Sequence, residues 1–150
     1  MVAGAAQGQL TLVVDDATGA ASIFNDSATS ISFDSYQIES TTGSLRPDDW
    51  LSLQDQGFAG WAEGGASNEN ILLEINLTGD LELFAGTSVS LGEPVAPGAI
   101  DSLSFRYRPV GAEESIPGNV IPEPASALLV AAGLGGILMR KRNRRKAGSL

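Results

Sequence analysis

The chain has 150 residues, with 18 Asp and Glu against 9 Lys and Arg, and it contains neither His nor Cys. No disulfide framework is available, and the Ser-His-Asp, Cys-His and zinc-histidine designs cannot be assembled. Six of the cations lie between Arg140 and Lys146 while every carboxylate precedes them, so the body carries −15 and the terminus +6. A body of that charge repels a phosphate backbone, which argues against nucleic acid as a partner. Both lysines sit in the basic terminus, at 141 and 146, so a Ser–Lys pair is out of reach as well.

The first eight residues, MVAGAAQG, hold no basic stretch and no apolar run, although AGAA resembles the small-residue end of a secretory signal. Residues 1–8 are therefore expected to be the remnant of, or the stretch just after, a missing signal peptide. In QLTLVV, Leu10, Leu12 and Val14 share one face by period-two alternation, the mark of a half-buried strand. The following DDATG predicts a turn, and ASIFN returns as the second arm of a hairpin ending at Asn25. In TSISFDSYQIES the alternation of Ile31 and Phe33 slips by one residue before resuming at Tyr36 and Ile38, which predicts a bulge.

Residues 39–69 read as loop, broken by Pro47 and five glycines. Strand character resumes in NILLEINL (70–77), LELF (81–84), SVSL (88–91) and IDSLSFRYR (100–108). Seven or eight short strands separated by turns predict an all-β domain over 9–108, an antiparallel β-sandwich. The four prolines of RPVGAEESIPGNVIPEP predict a Pro/Gly-rich linker over 109–121.

Chemistry within the body is sparse. Asp48, Asp49, Asp55, Glu63 and Glu69 share the loop-rich stretch with Trp50 and Trp61, the mixture of acids and aromatics that sugar-cleaving sites use. Solvated carboxylates on an acidic surface explain the same residues, and no enzyme is expected. Trp50 and Trp61 offer a carbohydrate contact if exposed and core filling if buried; Trp50, opening WLSL, favours burial. Asp15-Asp16 and Asp48-Asp49 supply oxygens of the kind calcium takes, yet no D-x-D-x-D-G loop is present. The expectation is no cofactor, with calcium the one metal the residue types allow.

The terminus is more informative. Pro122-Glu123-Pro124 is followed by fifteen uncharged residues from Ala125 to Met139, carrying Leu128, Leu129, Val130, Leu134, Ile137 and Leu138. As a helix this stretch spans about 22 Å against a hydrocarbon core of about 30 Å. Arg140, Lys141, Arg142, Arg144, Arg145 and Lys146 follow; the first two can snorkel, and the block holds its end in the cytoplasm. A core helix with a solvated basic tail is the competing reading, and it predicts no membrane association.

The composite of motif, short hydrophobic helix and Arg-rich end, over residues 122–146, resembles the PEP-CTERM sorting signal of Gram-negative bacteria. That resemblance implies recognition by a membrane enzyme of the exosortase type, with cleavage near Pro122-Glu123-Pro124. It also implies export through a signal peptide, and association with extracellular polysaccharide or biofilm. The precursor would sit in the inner membrane, anchored in lipid by its C-terminal helix, before reaching the cell surface or medium. The body, through LTLVVDDATG, ISFDSYQIES, GSLRPDDWLSL and ILLEINLTG, is similar to small β-rich ectodomains that planctomycete-type bacteria attach to this signal. The function expected is a non-enzymatic surface or matrix protein, with a carbohydrate-binding module as the alternative.

Overall fold

A computed structural model describes residues 9–123. The expected signal remnant (1–8), Pro124, the hydrophobic stretch 125–139 and the basic cluster 140–146 lie outside the described residues.

The chain folds into strands β1 (Leu10–Val14), β2 (Ala21–Asn25), β3 (Ile31–Ser40), β4 (Trp61–Glu63), β5 (Ile71–Asn76), β6 (Leu81–Leu83), β7 (Ser88–Ser90), β8 (Leu103–Pro109) and β9 (Ile116–Pro122). Short 3-10 turns occupy Pro47–Asp49 and Ile100–Ser102. Among the described residues the all-β expectation holds, and the strands number nine rather than seven or eight. They form one curled sheet in the order β4-β5-β3-β8-β9-β1-β2-β7, with β6 paired to the start of β3. Curling gathers both halves around one core, Leu10, Leu12 and Ile23 from one and Phe33, Ile38, Leu72 and Phe105 from the other. Among the described residues no helix is long and apolar enough to cross a membrane.

The bulge falls where the alternation slips. The register of β3 against β8 shifts between Phe33 and Ser35, with Asp34 as the extra residue. Phe33 can then point inward at the start of the strand while Tyr36 and Ile38 point inward further on; all three are buried. Asp34 takes up a salt bridge to Arg108 Nε at 2.7 Å across the same pair of strands.

The predicted linker is a correction. Residues 116–122 are β9, antiparallel to β8 through Gly118 and parallel to β1 from Asn119 to Pro122. The domain therefore runs past 108, and β9 is the strand that joins the two halves of the sheet. Its side chains are mostly exposed or half-buried, so backbone pairing rather than apolar burial holds it in place. The crossing from one partner to the other occurs at Gly118, where a Cβ would stand 2.6 Å from Leu10 O and 2.5 Å from the Phe105 ring. Gly118→Ala is accordingly expected to cost about 1–3 kcal/mol, as overpacking does. Urea denaturation measures it, and a midpoint equal to that of the parent would contradict this account of the crossover.

Candidate functional site: a buried carboxylate under a strap

The two free ends of the sheet, β4 and β7, are bridged by residues 50–56. On the β7 side, Leu51 N–H donates to Leu91 O at 2.8 Å and the Gln56 amide donates to Ser90 O at 2.8 Å. Toward β4, Glu63 N–H donates to Gln54 Oε1 at 2.8 Å and Ser52 Oγ donates to Glu63 Oε1 at 2.7 Å. A segment with no regular structure of its own thus covers two edges that would otherwise expose unpaired backbone.

Glu74 pins this strap from below. Its carboxylate is fully buried and accepts from Leu53 N–H and Gln54 N–H, each at 2.9 Å, and from the Tyr36 hydroxyl. Trp50 Nε1 donates in turn to the Tyr36 oxygen at 3.1 Å. The pairing of the strands sets up this arrangement. Glu63, Glu74, Tyr36 and Tyr107 are successive cross-strand partners on β4, β5, β3 and β8. Tyr107 closes the row by accepting from Leu10 N–H at 3.2 Å.

Burial pushes the Glu74 carboxyl above the usual carboxylate range, and the Glu63 charge adds to this, while bonds from Tyr36, Leu53 and Gln54 pull the other way. Burial, and then the charge of Glu74, hold the Tyr36 phenol well above its ordinary value. The Tyr107 phenol is likewise raised by burial, against the bond from Leu10. Both oxygens of Glu74 are taken by donors of the protein, so the group is arranged to hold a loop rather than to pass a proton to a ligand.

The acids singled out in the sequence are dispersed. Asp48, Asp49, Asp55 and Glu69 are exposed, and only Glu63 joins the cluster, through Ser52. Asp15 accepts from Ala17 N–H at 2.9 Å and Asp16 from Ile100 N–H at 3.1 Å, each bracing a turn. No group of three or more His, Cys, Asp or Glu side chains able to hold a metal occurs among the described residues.

Trp50 and Trp61 are each only 5% exposed: the burial favoured for Trp50 holds, and neither indole has the exposure that a carbohydrate contact required. Trp61 lies 5.5 Å from the Phe33 ring and 6.1 Å from the Tyr36 ring, centroid to centroid, so its faces are spent on the core. Glycines around it make the local sequence read as loop, but Trp61 begins β4 and faces inward.

Glu74 was not among the residues the sequence pointed to. A signal was present: Leu72, Glu74 and Asn76 alternate onto one face of ILLEIN, so a charge there had to be inward if Leu72 was.

Of the Pro-Glu-Pro motif, Pro122 and Glu123 are described. Pro122 is the last residue of β9, paired with Val14, and Glu123 N–H donates to Val14 O at 2.8 Å. The Glu123 residue is exposed and borders an open groove of about 280 Å³ together with Asp15, Ser22, Ser88 and Ser90. No protein-family model, no curated protein and no solved structure matches the chain.

Proposed function

We propose that this is a non-enzymatic exported protein whose C-terminal segment is a sorting signal. In this reading an exosortase-type membrane enzyme processes the chain at Pro122-Glu123-Pro124. The released body then associates with the cell surface or with extracellular polysaccharide. The observation that carries the proposal is the order of parts at the terminus: the tripeptide, fifteen uncharged residues from 125 to 139, then six cations from 140 to 146. A membrane helix bounded by cations is retained with its basic end inside, which puts the acidic body on the far side of the bilayer.

Two features support the body's part in it. The last strand of the described residues ends at Pro122, the first residue of the motif. The curled sheet, in this proposal, works as a sandwich module whose acidic exterior suits a hydrated matrix. Carbohydrate contact belongs to the proposal only through surface groups other than the two indoles.

Glu123→Ala tests the processing step in cells that carry the enzyme. The side chain is exposed and the fold uses the backbone N–H of this residue, so the sheet should survive the change. Immunoblots of fractionated cells are expected to show the full chain retained in the inner membrane and the shorter surface form lost. An unchanged surface form would contradict the motif's role.

A further inference from the structure

We infer that one end of the curled sheet is a docking surface for a cationic, amphipathic segment of another protein. The inference goes beyond the sorting reading and does not depend on it.

Strand directions bring five connections to this end: residues 26–30 after β2, 77–80 after β5, 84–87 after β6, 110–115 after β8, and 57–60 ahead of β4. Of the seven large apolar side chains exposed among the described residues, Phe58, Leu77, Phe84, Val110 and Ile116 all lie here. Leu77 is 71% exposed, Phe84 63% and Val110 50%. Such residues scattered singly are ordinary, but their gathering at one end marks an interaction surface.

Two buried asparagines hold the tips in place. Asn25, the last residue of β2, donates from Nδ2 to Thr29 O and Leu83 O, each at 2.8 Å. Asn76, the last residue of β5, donates to Ala59 O at 3.0 Å and accepts from Thr78 N–H at 2.9 Å and Gly79 N–H at 2.7 Å. Leu77 N–H donates to Gly60 O at 2.9 Å, and Val110 N–H to Ser32 O at 3.0 Å. The apolar tips are thus set in position before a partner arrives, which lowers the ordering cost of binding.

Charge selects the partner. Asp26, Asp80, Glu82, Glu113 and Glu114 are exposed on the same connections and on β6 between them. Of the three arginines within residues 9–123, Arg46 lies at the opposite end, where its N–H donates to Pro94 O. Arg108 is paired with Asp34, and the Arg106 guanidinium donates to Ser115 O at 2.8 Å. A second copy of the chain would bring carboxylates against carboxylates, and an anionic bilayer would be repelled in the same way. A segment that alternates leucine-type side chains with lysine or arginine satisfies both features: its apolar groups cover the tips and its cations meet the carboxylates.

Fluorescence polarisation of a labelled leucine–lysine amphipathic peptide, titrated with the full chain, tests the surface. The expected result is saturable binding that falls with salt and drops by about tenfold or more in the Leu77→Ser/Phe84→Ser variant. Leu51→Ser, at an exposed apolar residue of the opposite end, should leave binding unchanged. Asp80→Asn with Glu113→Gln and Glu114→Gln should weaken binding and flatten its salt dependence. All these side chains are exposed, so each variant should melt like the parent. Equal affinity of the parent and the Leu77→Ser/Phe84→Ser variant would overturn the inference, because attraction by net charge alone would then account for the binding. Dimerisation of the parent, or its binding to phosphatidylcholine vesicles, that the same variant abolishes would overturn it too, by making the occupant a second copy or a lipid surface.

Discussion

Replacement of Glu74 by Ala is expected to lower stability by about 3–5 kcal/mol, the range seen when one side of a buried charged network is deleted. Three donors, Leu53 N–H, Gln54 N–H and the Tyr36 hydroxyl, would lose their acceptor at once. Glu74→Gln keeps the volume and one acceptor oxygen, and its cost should be nearer 1–3 kcal/mol, roughly that of an unsatisfied buried group. Urea unfolding measures both. A Glu74→Ala midpoint within error of the parent would remove the carboxylate from the account of the strap.

The same group gives stability a pH dependence of defined sign. Because burial raises the carboxyl above its unfolded value, the folded state holds the proton more tightly. Its contribution is complete below the unfolded value, about 4.3 for Glu, and is lost as pH rises through the raised folded value. Melting temperature should therefore increase on mild acidification toward that range. Relief of repulsion among the other carboxylates acts in the same direction, so the Glu74→Gln variant is the comparison. Its profile should be flatter than the parent's, and equal slopes would contradict the assignment.

Trp61→Ala carries the second large effect, about 3–5 kcal/mol for deleting a large buried aromatic. The residue fills the core against Phe33 and Tyr36, under the network that holds the strap. Native Trp61 should show a blue-shifted emission that does not respond to soluble polysaccharide. Quenching of a red-shifted Trp61 by polysaccharide, with little loss of stability in the alanine variant, would restore the sugar-platform role.

What could be read in the sequence follows from which residues carry a periodic signal. Leu10, Leu12 and Val14 alternate because β1 has one face in the core, and the slip between Phe33 and Tyr36 announced the bulge at Asp34. β9 escaped because alternation records side-chain burial, and its side chains are largely outside. Its two prolines and Gly118 read as breakers, although Gly118 is there for close passage past Leu10 and Phe105. β4 is only three residues long and is flanked by glycines, too short for any period to show. The strap was legible as loop, but its partners lie on strands far along the chain, and nothing local encodes Leu51 meeting Leu91 or Gln54 meeting Glu63. Glu74 was the missed clue of another kind, a charge on the apolar face of a strand, which only makes sense with donors opposite it.

Structure and terminus meet at one place. The last strand of the described residues ends at Pro122, and the features proposed as the address begin at that residue.

The most direct measurement is a pulse-chase in native cells, with antibodies against the body and against the sequence after Met139. The account predicts that newly made chain appears first in the inner membrane and reacts with both antibodies. It should then convert to a shorter surface form that only the body antibody binds. A single species carrying both epitopes throughout the chase, in a soluble fraction, would contradict the claim that the terminus is a sorting signal.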